Sequence, residues 1–149
     1  MNIVDRLKVV EKKRFDLWLQ QIYSCMYRFG FEKLEVWQKA RKLTVEIYRL
    51  TEKFPEREKF GLTNQLRRAS VSIGANIAEG ATRSSAKEQA HFSSISYGSL
   101  METMSHLITS VDLNFITEED LLLLRNMIQS LSLKINNLRN TQLANAEKS

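Results

Sequence analysis

The sequence predicts an all-α protein, an antiparallel up-down four-helix bundle, and three observations lead there. From residue 31 onward the apolar residues recur at alternating steps of three and four in four successive segments. The 149 residues include one proline and five glycines, so few positions interrupt a helix. No segment of comparable length alternates with the two-residue period of a half-buried strand. A 3-4 repeat keeps one stripe facing a partner helix at a shallow left-handed crossing, which is how four-helix bundles pack. The length fits one domain with a core that needs no disulfide or metal support.

Residues 1–28 stand apart as an N-terminal extension. Ile3, Leu7, Val10, Leu17 and Trp18 fall partly on one side of a basic amphipathic helix, but Arg14 and Gln21 interrupt the stripe. The segment is therefore read as an extra N-terminal helix or a disordered extension. Its basic residues precede no unbroken apolar run with a small-residue cleavage site, so no secretory signal is expected. Nor does any apolar run approach the roughly 20 residues that span a bilayer. The single cysteine, Cys25, rules out an internal disulfide framework and suits a reducing compartment, so the expected location is cytoplasmic.

The bundle is expected over residues 29–139. Its first stripe is Val36, Ala40, Leu43, Ile47, Leu50 and Phe54, stopped by Pro55. Its second is Leu62, Leu66, Ala69, Ile73 and Ile77, with Gly80 placed to close the helix in a left-handed conformation. Ser85-Ala86-Lys87-Glu88 reads as a capping box opening the third helix, whose stripe is Tyr97, Leu100, Met104, Leu107 and Val111. Asp112-Leu113-Asn114 ends it. Thr117-Glu118-Glu119-Asp120 opens the fourth with a hydroxyl cap and acids at the positive end of the dipole, ahead of Leu121, Leu124, Ile128, Leu131, Ile135 and Leu138. Connections this short make consecutive helices antiparallel neighbours. Residues 140–149 are polar and read as a frayed tail.

The second and third helices are rich in small residues. Ala69, Ser70, Ser72, Gly74, Ala75 and Ala78 surround much of the second, and Ser93, Ser94, Ser96, Gly98 and Ser99 mark the third. Glycine costs about 1 kcal/mol relative to alanine in a helix interior, so close backbone contacts are expected there. They are read here as contact surfaces of a self-associating bundle, with a tightly packed monomer core as the alternative.

Charge is distributed unevenly. The first 85 residues carry 17 basic and 10 acidic side chains, the last 64 carry 5 and 7, and the net charge is +5. A basic half beside a mildly acidic one suits an anionic partner, nucleic acid ahead of a membrane surface. Lys39, Arg41, Lys42, Arg67, Arg68, Arg83 and Lys87 are the candidate nucleic-acid-binding residues, positioning phosphates without reading bases. Arg67 and Arg68 point about 100° apart on a helix. One is expected to pair internally with Glu79, Glu88 or Glu102, and the other to face solvent or RNA.

Catalytic and metal chemistry finds little support. There is no phosphate-cradling glycine loop, no Cys/His zinc spacing and no helical His-Glu-x-x-His. His91 and His106 lie about 22 Å apart along the third helix, too far to share a metal. Cys25 has no evident base partner, and the carboxylates Glu79, Glu88 and Glu102 lack the Glu-x-x-His pattern of di-iron bundles. The expectation is a non-enzymatic protein with no catalytic residue, no metal and no cofactor.

Several stretches carry a family likeness. Phe31-Glu32-Lys33-Leu34-Glu35-Val36-Trp37-Gln38-Lys39-Ala40, Gly61-Leu62-Thr63-Asn64-Gln65-Leu66-Arg67-Arg68-Ala69, Ser72-Ile73 with Asn76-Ile77-Ala78-Glu79-Gly80, Ser85 to Glu88, and Gly98-Ser99-Leu100-Met101-Glu102-Thr103 resemble the four-helix-bundle family of 23S ribosomal RNA intervening-sequence proteins. The likeness covers about residues 29–139. It implies a bacterial helical bundle assembled as a ring-like homopentamer. It also implies kinship with the accessory variability proteins of diversity-generating retroelements, which bind nucleic acid and a reverse transcriptase. Gly74 stands where relatives often carry proline, and either residue favours a bend. The family pattern lacks residues 1–25, so translation is expected to start at Met26, with the upstream residues an extension of no fixed structure. Two functional readings follow: an oligomeric bundle that binds RNA or DNA, or a protein-interaction scaffold recruiting a partner such as a reverse transcriptase.

Overall fold

The computed structural model describes residues 14, 16–18 and 28–148. From residue 28 onward it contains four α-helices: α1 (Glu35–Thr51), α2 (Leu62–Gly80), α3 (Ala86–Asp112) and α4 (Glu118–Ala146). Short 3-10 turns at Gly30–Lys33 and Glu56–Glu58 precede α1 and α2. Among the described residues there is no strand. Arg14 and Asp16 to Trp18 are helical, with Leu17 and Trp18 exposed, so these four take the helical option for the N-terminal extension. The remainder of that expectation, including residues 1–13 and the start at Met26, lies outside the described residues.

Cross-helix hydrogen bonds fix the directions. Thr44 and Arg67 reach from α1 to α2 and back, in the pairs Thr44–Ser70 and Arg67–Thr51, so one number rises as the other falls. Ser96 on α3 donates to the Ile73 carbonyl of α2, while the Ser72 and Ser99 hydroxyls lie 2.9 Å apart. Ser93 of α3 meets Gln142 of α4, Lys39 of α1 meets Ser130, and Glu35 meets Lys134. Neighbouring helices are antiparallel throughout, α4 returning beside α1. The four stripes meet in one core, with Leu43, Ile47, Leu66, Ile73, Leu100, Leu107, Leu131 and Ile135 almost wholly removed from water. Each such side chain contributes about 1.5–3 kcal/mol by burial.

The helix ends follow local chemistry, with one exchange of roles. Ser85 Oγ accepts from the Glu88 amide at 3.2 Å, and Thr117 and Asp120 form a reciprocal capping box. Gly80 does not close α2 in a left-handed conformation: no described glycine has positive φ, and Gly80 is itself helical. Its value is space, because a Cβ there would lie 2.9 Å from Phe92 Cβ on α3. The left-handed residue is Asn114 (φ 56°), after α3. There the Phe115 amide donates to Ser110 O and the Asn114 amide to Val111 O, a Schellman ending. Phe115 then packs on Phe54 with ring centroids 5.5 Å apart.

Two further differences have clear causes. Helix α4 runs about two turns beyond Arg139, where the sequence suggested fraying, because Gln142 is buried and accepts from Ser93 Oγ at 2.7 Å. Several of the small residues of α2 and α3 are used within the chain. Ala69, Ser70, Ser93, Ser96 and Ser99 are all buried, the serines bonded to neighbouring side chains or carbonyls. The monomer core thus accounts for these five, whereas Ala75, Ser94 and Gly98 are exposed. Helix α2 runs unbroken through Gly74.

Candidate nucleic-acid interface

Burial of Val36, Ala40, Leu43 and Ile47 fixes the rotation of α1. At about 100° per residue, Trp37, Arg41, Thr44, Val45 and Tyr48 fall on the flank toward α2, and Lys39, Lys42 and Glu46 on the flank toward α4. The basic residues of α1 are therefore split between two grooves.

The α2 side is the more developed. Trp37 lies against α2 at Gly74, its indole 3.8 Å from where a Cβ would sit. Phe31 meets Trp37 edge-on at 5.0 Å, and the Arg41 guanidinium lies 5.4 Å from the indole centroid. Farther along, Arg67 of α2 stacks on Tyr48, its guanidinium carbon 4.7 Å from the ring centroid. Arg67 Nε donates to Thr51 Oγ1 at 2.7 Å, and Thr51 in turn donates to the Tyr48 carbonyl. Beside this pair a groove of about 530 Å³ is lined by Tyr48, Asn64, Arg67, Arg68, Val71 and Ser72. Arg68 is exposed on its edge.

On the α4 side, Lys39 Nζ donates to Ser130 Oγ at 3.2 Å. Glu35 and Lys134 form an ion pair at 2.7 Å. The hydrogen bond from Lys134 holds the Glu35 carboxyl below its usual range, aided by the charges of Lys134 and Lys39. A smaller groove here, about 260 Å³, is lined by Glu35, Gln38, Lys39, Lys42, Met127 and Ser130.

Arg83 and Lys87 sit elsewhere, at the α2–α3 turn. Arg83 is paired with Glu79 and covers the Phe92 ring at 4.7 Å, so its charge is already matched. Lys87 is exposed in the first turn of α3. The seven candidate residues thus form three groups. The expected internal pairing of Arg67 or Arg68 with Glu79, Glu88 or Glu102 is replaced: Glu79 bonds Arg83, Glu88 bonds Ser85, and Glu102 lies 3.5 Å from His106. Arg67 instead takes a hydroxyl and an aromatic face. Sequence reasoning missed Trp37, Tyr48, Thr51 and Asn64. The Trp37–Arg41 spacing of four was a usable signal for one ring–guanidinium pair. Tyr48 and Arg67 meet only through the register of two helices.

Part of the basic charge that lies outside ion pairs is carried by these two helices. From Val36 to Val45 the sequence has Lys39, Arg41 and Lys42 and no carboxylate, and from Thr63 to Ala78 it has Arg67 and Arg68 and none. Among the described residues, no carboxylate lies within ion-pair distance of these five. Also among the described residues, no cluster of three or more His, Cys, Asp or Glu is placed to hold a metal, and no helix is long and apolar enough to cross a membrane.

Comparison with solved structures finds the same fold in a protein of unknown function from the S23 ribosomal protein family of Bacteroides thetaiotaomicron VPI-5482. The two share 22% identity over 74% of this chain and 97% of that one, with a TM-score of 0.54. No curated protein matches the chain. The family model described as 23S rRNA-intervening sequence protein matches residues 32–137. With that match spanning α1 to α3 and most of α4, the chain belongs to the 23S rRNA-intervening sequence protein family.

Proposed function

We propose that this protein is a non-enzymatic helical scaffold that binds nucleic acid, RNA or DNA, through the basic faces of α1 and α2. The observation that carries this reading is the set of five cations, Arg41, Arg67 and Arg68 on the α1–α2 side and Lys39 and Lys42 on the α1–α4 side, with no carboxylate in ion-pair reach among the described residues. An anionic polymer matches that surplus, and its condensed counterions supply the driving force on release. Binding is expected to be weak in sequence preference, because these groups contact phosphates. In a fluorescence titration, about five phosphate contacts would lower affinity roughly a hundredfold over a fourfold rise in salt. Absence of binding to RNA and DNA at low salt would sink the reading.

A homo-oligomer, pentameric by family likeness, is the proposed working form. Support comes from exposed apolar side chains on the outer surface of α4, Leu122, Leu123 and Leu133, each more than half exposed. Equilibrium sedimentation tests it: a mass of one chain at micromolar concentration contradicts it. The second reading, a scaffold that recruits a protein such as a reverse transcriptase, draws on the same exposed leucines. A protein retained by the bundle after nuclease treatment would favour it.

A further inference from the structure

We propose that the groove between α1 and α2 is a stacking site for single-stranded nucleic acid, with Tyr48 and Arg67 as its platform. The inference rests on the nucleic-acid reading above and goes beyond it, because it adds to phosphate neutralisation a ring-and-guanidinium surface for a base face. Here the cations are laid on rings. Arg67 lies 4.7 Å from the Tyr48 centroid and Arg41 lies 5.4 Å from that of Trp37, about 16 Å of helix rise separating the two rings. Arg67 is held in place, since its Nε donates to the Thr51 hydroxyl, which is 3% exposed. A guanidinium fixed this way presents a flat cationic plane, preorganised for stacking. Tyr48 stays 42% exposed beside it, and exposed Val71 extends the apolar floor. Asn64 supplies an amide with both donor and acceptor, and Arg68 stands at the rim for a phosphate.

A groove of about 530 Å³ with an apolar floor, a fixed guanidinium plane and no facing carboxylate suits an unpaired base with its phosphate. A duplex keeps its base faces inside the stack and offers mainly phosphates and groove edges, so it would use the cations and leave the rings idle.

The test is fluorescence anisotropy on the full chain, using an unstructured labelled RNA oligonucleotide, the same RNA annealed to its complement, and single-stranded DNA of the same sequence. The single strand should bind about tenfold more tightly than the duplex at equal salt. Tyr48→Ala should weaken single-strand binding about tenfold and leave duplex binding and the salt slope unchanged, while Tyr48→Phe keeps the wild-type affinity. Arg68→Gln should weaken both forms and lower the salt slope by about one contact. Single-stranded DNA should bind within about threefold of RNA, since stacking ignores the 2′-hydroxyl. Thermal melting of each variant establishes that it is folded. If the wild type binds RNA but Tyr48→Ala changes nothing, or the duplex binds as well as the single strand, the stacking site is wrong and the nucleic-acid reading stands. An RNA preference above about tenfold would replace stacking with sugar recognition and overturn the platform. A Tyr48→Ala variant that loses assembly instead of RNA would make the groove a contact between copies. Failure of the wild type to bind any of the three probes overturns both.

Discussion

The seam between α2 and α3 and the seam between α1 and α4 are built to different rules. The first is closed by small side chains: Ser96 is fully buried, the Ser72 and Ser99 hydroxyls meet at 2.9 Å, and Gly80 leaves no room for a methyl group. Its polar groups bond within it, so the close approach leaves few buried donors unmatched. The second uses long side chains, touches over less of its length, and leaves grooves of about 420 and 260 Å³ lined by residues such as Arg49, Lys53, Lys42, Leu123 and Met127. Small residues let helices close on one another, whereas large charged ones hold them apart and keep a surface open. The chain therefore has a closely packed half formed by α2 and α3, against which α1 displays its cations.

The largest expected effect lies in the closed half. Ile73→Ala, at a fully buried position, should cost about 2–5 kcal/mol in denaturant unfolding, while Met127→Ala in the open α1–α4 groove should cost only about 1–2 kcal/mol. Equal costs would mean the two seams are packed alike. Two glycines of α2 sharpen the contrast. Gly80→Ala drives a Cβ to 2.9 Å from Phe92 Cβ and should destabilise by about 1–3 kcal/mol. Gly74→Ala meets only ordinary contacts at 3.8 Å and should stabilise by up to about 1 kcal/mol, as a shift in melting temperature would reveal. A double-mutant cycle on Ser72→Ala and Ser99→Ala should give a coupling of about 0.5–1.5 kcal/mol, and zero would remove the hydroxyl bridge from the account.

The smallest effect concerns pH and the open seam. Glu35 is held below its usual value by Lys134, so the pair's contribution is present above the ordinary carboxylate range and disappears as pH falls through the lowered value. The melting-temperature difference between wild type and Glu35→Gln should accordingly shrink in acid. A difference that persists unchanged would assign Glu35 another role.

Much of this architecture was legible in the sequence because it rests on local chemistry. The four stripes follow from helical period, and the Ser85 and Thr117 caps from residues three apart. What escaped depends on register between helices. Gly80 looked like a chain reversal because glycine is common there, yet its reason is a neighbour on α3. Which serines turn inward was not readable, because nothing local says which helix face a hydroxyl meets. The candidate cations were visible as charges, but which of them are already matched was not: Arg83 is paired with Glu79, whereas Arg67 lies on Tyr48. The polar end of α4 read as a tail because the Ser93–Gln142 bond spans 49 residues.

The claim that the outer groove of α1 and α2 is the working surface is tested most directly by ultraviolet cross-linking of the intact protein to single-stranded RNA, with adducts located by mass spectrometry. The account predicts adducts on α1 around Trp37 and Tyr48 and on the first half of α2, with peptides from α3 unmodified. Adducts confined to α3 or α4, from a chain that binds RNA, would contradict it.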